Sequence, residues 1–281
     1  VTDGCDYPSG AIGKPVVSRS RLAVGEGASA ADIDGAVRDA VGDGEALYAL
    51  DADLIQRIQP DLILTQDLCR VCAVPAGAVE DALDTLGCHA DVLSLDPHTV
   101  DEVLEDMVRV GEHTGRADEA QQLVGDLRKR IADIEATASA LDPVRTFPLE
   151  WLEPPFSGGH WVPDLVMRAG GTPVLCAPGE HSAALRWSDI TASAPEVIVF
   201  MPCGYDLQAA VQEAHALRHV VELTETPAWR TGQVWVVDAT SYFSRPGPRL
   251  VDGLEILAWV MHPDDFPEPP AGRVLRVNPN D

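Results

Sequence analysis

Lysine is nearly missing from this chain: Lys14 and Lys129 are the only two in 281 residues. Lys and Arg together number 20 against 45 Asp and Glu, a formal net charge of −25. A nucleic-acid binder needs a basic face for phosphates, so that class is excluded. Docking on an anionic membrane is excluded for the same reason. Long apolar runs are also missing, and nothing approaches the roughly 18 residues a bilayer span requires. Residues 1–10 show no basic segment followed by an apolar stretch; they carry Asp3, Cys5 and Asp6 instead. The expectation is a cytoplasmic protein with reduced thiols, and an extracytoplasmic one if a segment was removed ahead of Val1.

What is present suffices for a folded core. Hydrophobic residues make up 46%, which rules out wholesale disorder. The length fits one large or two modest domains. Six cysteines stand at positions 5, 69, 72, 88, 176 and 203. A chain this large does not need them as staples. Their uneven spacing, with one CxxC at Cys69–Cys72, fits free thiols or metal ligands better than a disulfide framework.

Apolar patterning gives alternating strands and helices. Pro15–Val17 is a short apolar run, and Ala30–Val41 and Asp53–Ile58 have helical spacing, the latter stopped by Pro60. Asp61–Thr65 and Asp91–Leu95 read as buried strands, with a helix between them from Val74 to Leu86. Two amphipathic helices follow, Thr99–Gly111 and Ala117–Ala140. In the second, Ala120, Leu123, Val124, Leu127, Ile131 and Ile134 form one stripe. Its length would be about 36 Å. Alternation then resumes: strands at Arg145–Glu150, Glu196–Met201 and Gln233–Asp238, helices at Trp161–Ala169, Val211–Leu217 and Pro248–Met261. From Pro263 onward the chain reads as a loose, Pro-rich tail. The expected fold is α/β: two Rossmann-like lobes joined by one long helix. Residues 1–98 form the N-terminal lobe, 99–141 the linking helices, and 142–281 the C-terminal lobe.

Ligands of parallel α/β sheets bind beyond the carboxyl ends of the strands. Most aromatic and cysteine residues fall in the loops that follow the expected strands, so a ligand site is expected there. Trp151, Trp161, Tyr205, Tyr242 and Phe243 are its candidate walls, suited to a flat, largely apolar ligand. His160 follows Gly158-Gly159 and precedes a helix start at Trp161-Val162-Pro163, which suits a metal ligand or hydrogen-bond donor. Cys5, Cys69, Cys72 and Cys203 all lie in strand-end loops, so four thiolates could converge on zinc or an iron–sulfur cluster.

Several stretches together resemble the cobalamin-binding proteins related to the substrate-binding components of vitamin B12 ABC importers. They are Cys5-Asp6-Tyr7-Pro8 with Gly13–Val17, Asp61–Gln66 with Leu68-Cys69 and Val71–Val74, and Glu150–Phe156. Gly159–Pro163, Met201–Gly204, and Tyr242-Phe243 with Arg245–Leu250 complete the set. The resemblance runs from Val1 to about Pro263. It implies the helix-linked, class III periplasmic-binding-protein-like fold, a corrinoid as ligand and an ABC permease as partner. Family members usually have a further strand and helix ahead of the segment matching Val1, so the expectation is a first lobe lacking that unit or a sequence truncated there, in a branch that commonly lacks export signals. Two functions of different kinds follow. One is a binding protein for cobalamin or a related corrinoid, with Tyr7, Trp161, Trp187, Tyr205, Tyr242 and Phe243 as walls. In it Trp187 resembles the aromatic that covers the corrin face in importer components, Arg245 meets the corrin amides or nucleotide phosphate, and His160 is a wall residue or axial cobalt ligand. The other is a metalloenzyme with a cysteine-ligated iron–sulfur cluster or zinc, in which His160, Glu150 and Glu153 are the acid–base candidates.

Overall fold

The computed structural model describes residues 1–22, 30–42, 47–66 and 89–277. Cys69, Cys72 and the helix expected over 74–86 lie outside them. The chain divides into two compact units, Val1–Asp96 and Pro97–Asp281.

The first unit contains β1 (Ser18–Ser20), α1 (Ala30–Gly42), β2 (Tyr48–Leu50), α2 (Ala52–Ile58), β3 (Leu62–Gln66) and β4 (Asp91–Leu95). α2 starts where the Asp51 carboxylate accepts a hydrogen bond from the Leu54 N–H at 2.9 Å. It ends at Gln59 in the left-handed region, one residue before Pro60. Ile55 of this helix is buried against Val17, Leu50, Ile63, Ala90 and Val92. β3 and β4 pair in parallel from Leu62↔Asp91 to Gln66↔Leu95, the pairing their apolar composition implies. β1 and β2 form a separate antiparallel pair.

The second unit opens with α3 (Val100–His113) and α4 (Ala117–Ala138). Thr99 and Glu102 cap α3 reciprocally, each side chain taking the other's backbone N–H. The two helices pack closely because Gly111 has no side chain: a Cβ there would collide with Ala120 and lie 2.9 Å from the Arg116 carbonyl. Val124, Leu127, Ile131 and Ile134 of the expected stripe are buried, whereas Leu123 faces solvent.

Then come β5 (Val144–Trp151), β6 (Phe156–Ser157), α5 (Val162–Arg168), β7 (Gly171–Pro173), α6 (Trp187–Ala192) and β8 (Val197–Phe200). α7 (Leu207–Ala214), α8 (Pro227–Arg230), β9 (Val234–Val237), α9 (Ala239–Tyr242), α10 (Leu250–Met261) and β10 (Val274–Arg276) complete it. The sheet order is β10-β9-β8-β5-β6, with β7 also on β5. β5, β7, β8 and β9 run parallel. All four residues of β8 are buried, as a central parallel strand covered on both faces requires. α10 is apolar nearly all round and packs against α4 and α5.

Two expectations need correction. The tail is not wholly loose: Val274–Arg276 pairs antiparallel with β9, from Val274↔Val237 to Arg276↔Trp235. An open sheet edge takes up a short β-prone segment even from a Pro-rich stretch. α7 begins at Leu207 rather than Val211, because Asp206 accepts from the Ala209 N–H at 2.8 Å. Among the described residues, no helix is long and apolar enough to cross a membrane.

Candidate functional site

Three parallel strands of the second unit deliver their carboxyl ends to one edge. β5 ends at Trp151, the segment after β8 carries Tyr205, and the turn after β9 becomes α9 with Thr240 and Tyr242. The Trp151 and Tyr205 rings meet edge to face, centroids 5.8 Å apart. The Thr240 N–H donates to the Tyr205 carbonyl at 3.1 Å, and the Cys203 N–H to the Glu150 carbonyl at 3.3 Å. These bonds tie the three loops together.

Three side-chain polar atoms at this edge are buried and have no hydrogen-bond partner: Trp151 Nε1, Tyr205 Oη and Thr240 Oγ1. An unsatisfied buried polar group costs about 1–3 kcal/mol, so three at one sheet edge are a sizeable local cost. Burial, with help from the Glu213 charge, pushes the Tyr205 phenol above its ordinary value, so it keeps its proton. Burial raises Tyr242 as well, with Asp238 and Asp252 adding to it and Arg273 and Arg249 opposing. The guanidinium carbons of Arg273 and Arg249 lie 4.9 and 6.0 Å from the Tyr242 ring centre.

The other expected residues separate into groups. Trp161 and Phe243 are core, not open walls: Trp161 is 4% and Phe243 2% exposed, and the Trp161 Nε1–H donates to the Phe243 carbonyl at 2.7 Å. Trp187 is half-buried at the start of α6, and Arg245 is half-buried after α9. Tyr7 is exposed and belongs to the first unit. The Glu150 carboxylate accepts from the Ser182 hydroxyl, and Glu153 is exposed.

His160 is half-buried, with its backbone in the left-handed region at φ 53°. Its N–H donates to the Glu180 carbonyl at 2.6 Å, and its carbonyl accepts from the Gly179 N–H at 3.0 Å. Sequence reasoning missed its neighbours, His98 and His181. The ring centroids lie 5.5 Å apart for His98–His160, 5.5 Å for His98–His181 and 4.9 Å for His160–His181. The one available signal was that His98 directly precedes the Thr99-x-x-Glu102 helix start.

Of the four cysteines expected to converge, only Cys5 and Cys203 lie within the described residues. Cys5 is exposed in the first unit with its Sγ 3.3 Å from Thr2 Oγ1, and Cys203 is half-buried in the second. Among the described residues, no three His, Cys, Asp or Glu side chains are grouped to hold a metal ion. Cys176 is pushed up to about 12 by burial and by the charges of Glu150 and Glu180, so it is a thiol at neutral pH and a poor metal ligand.

Residues 14–240 match the periplasmic binding protein family. The chain belongs to that family. Solved structures with this fold include the periplasmic vitamin B12 binding protein BtuF of Vibrio cholerae. It is 20% identical, with 76% of this chain and 78% of that one covered and a TM-score of 0.60. A periplasmic heme binding protein from Pseudomonas aeruginosa is 20% identical over 82% and 83%, TM-score 0.65. An ABC-type Fe3+-hydroxamate transport system from Saccharomonospora viridis is 22% identical over 75% and 72%, TM-score 0.58. No curated protein matches. The fold is therefore the class III periplasmic-binding-protein-like fold that the α/β alternation and the long helix imply. The expected cytoplasmic location is corrected: membership of a family of periplasmic binding proteins overrides the reading of residues 1–10 and of the free thiols.

Proposed function

We propose that this protein is the extracytoplasmic solute-binding component of an ABC importer, with cobalamin or a related corrinoid as cargo. The carrying observation is the set of unpartnered polar atoms on Trp151, Tyr205 and Thr240 at the carboxyl edge of the β5-β8-β9 sheet. Each can donate a hydrogen bond. A corrinoid offers many amide carbonyls around a broad, largely apolar ring, which matches donors set among aromatic faces. Trp151, Tyr205 and Tyr242 supply those faces, and Trp187 and Arg245 are further contacts in this reading. Corrinoid amides are neutral, so the acidic surface of the chain does not repel the cargo.

The test is a spectral titration of the purified chain with hydroxocobalamin, run beside hemin and a ferric hydroxamate. Saturable binding that is tightest for the corrinoid supports the assignment. Hemin or the hydroxamate binding tenfold tighter than the corrinoid overturns it and keeps only the family-level role.

A further inference from the structure

We infer that His160 and His181 form a clamp for a divalent first-row transition-metal ion, with His98 beside it. The inference goes beyond the cargo reading and does not depend on it. His160 Nε2 and His181 Nδ1 are 3.0 Å apart. Two imidazole nitrogens each about 2.0–2.1 Å from one metal ion lie about 2.9 Å apart at a right angle and about 3.3 Å apart at a tetrahedral one. The observed gap falls between these values. The rings are nearly perpendicular, at 86°.

The chain builds this pair deliberately. The segments 155–160 and 179–185 run side by side, joined by the Leu185 N–H to Pro155 O, Ser157 N–H to Ala183 O and His160 N–H to Glu180 O bonds. Gly159 makes the approach possible, because a Cβ there would collide with the Ser182 backbone and come within 2.7 Å of its hydroxyl. Holding a histidine at φ 53° costs about 1–2 kcal/mol, an expense met here by two backbone bonds. His98 is anchored independently. The Val100 N–H donates to Asp164 at 3.1 Å, and Arg168 joins Asp101 to Asp164. His98 Nδ1 lies 3.2 Å from the Gly179 carbonyl, which ties this ring to the 179–185 segment.

As the described residues stand, no third His, Cys, Asp or Glu completes the clamp. Two imidazoles and water suit borderline ions, Cu2+, Ni2+ or Zn2+, rather than Mg2+ or Ca2+. His181 is exposed, which gives an ion a path in.

The experiment is calorimetric titration of the untagged, chelator-treated chain with Cu2+, Ni2+ and Zn2+, with no corrinoid present. One ion per chain is expected, in the order Cu2+ above Ni2+ and Zn2+. His181→Ala, at an exposed position that leaves the fold intact by circular dichroism, should weaken binding at least tenfold. His98→Ala should weaken it less. His215→Ala with His219→Ala, a histidine pair elsewhere on the surface, should change nothing. Binding that survives His181→Ala, or that falls equally in the 215/219 variant, overturns the clamp. Failure here leaves the corrinoid titration standing, and failure of that titration leaves this one standing.

Discussion

Replacing Gly159 with alanine tests how the second unit is assembled around His160. The new Cβ would overlap the Ser182 backbone, sit 2.7 Å from its hydroxyl and 3.0 Å from the His181 carbonyl carbon. These neighbours are mostly backbone and cannot rotate away, so the 179–185 segment must retreat. Overpacking of this kind costs about 1–3 kcal/mol. Loosening the His160 N–H to Glu180 O and Gly179 N–H to His160 O bonds adds about 1 kcal/mol. A total of about 2–4 kcal/mol corresponds to a fall in melting temperature of about 4–15 °C for a unit of this size. The control is Gly125→Ala in α4, where nothing lies within 4 Å of the added methyl. It should be neutral or stabilise by up to about 1 kcal/mol. Both variants are read by thermal melting followed by circular dichroism and tryptophan fluorescence. Equal melting temperatures for Gly159→Ala and the parent would refute the close-approach reasoning.

Three further outcomes follow. Thiol labelling followed by peptide mass mapping should modify exposed Cys5 readily at pH 8 and leave Cys176 unmodified until the pH nears its raised value of about 12. The same shift sets a sign for stability: a thiol whose value is raised in the fold stabilises below pH 9, and that contribution is lost as pH rises from 9 toward 12. Rapid labelling of Cys176 at pH 8 would contradict its burial beside Glu150 and Glu180. Arg168 bridges Asp101, Asp164 and Glu135 at 2.7, 2.9 and 3.0 Å, so it joins α3, α4 and α5. Burial opposes its charge, but Asp164 and then Asp101 outweigh that and raise it further. Arg168→Ala removes the shared cation from three carboxylates, two of them solvent-exposed and one still held by the Val100 N–H, and should lower stability by about 1–2 kcal/mol in urea unfolding, whereas Arg116→Ala, an exposed pair with Glu119, should cost under about 1 kcal/mol.

The central elements were legible because their residues carry one dominant signal. Val197–Phe200 is apolar throughout and lies mid-sheet; Thr99 with Glu102 announces a helix start. The short edge elements were not legible. β2, β6 and β7 are two or three residues long, and β7 contains Gly171 and Pro173, so neighbours rather than propensity make them strands. Trp161 and Phe243 were misread as walls because an aromatic in a loop looks the same whether it faces a ligand or packs beneath the loop. His160 stood out beside two glycines. Its partners did not, since His98 lies on a different element and contact across the fold leaves no mark on local spacing. The unpartnered atoms of Trp151, Tyr205 and Thr240 are likewise a property of the folded chain alone.

The most direct measurement compares hydroxocobalamin affinity in the parent chain and in Tyr205→Phe/Thr240→Val. Both substitutions remove an unsatisfied buried polar atom and keep the shape. The cargo-free variant should be as stable as the parent or up to about 2 kcal/mol more stable, while its corrinoid affinity falls about tenfold or more. Unchanged affinity would contradict the assignment of this sheet edge as the place where the cargo is held.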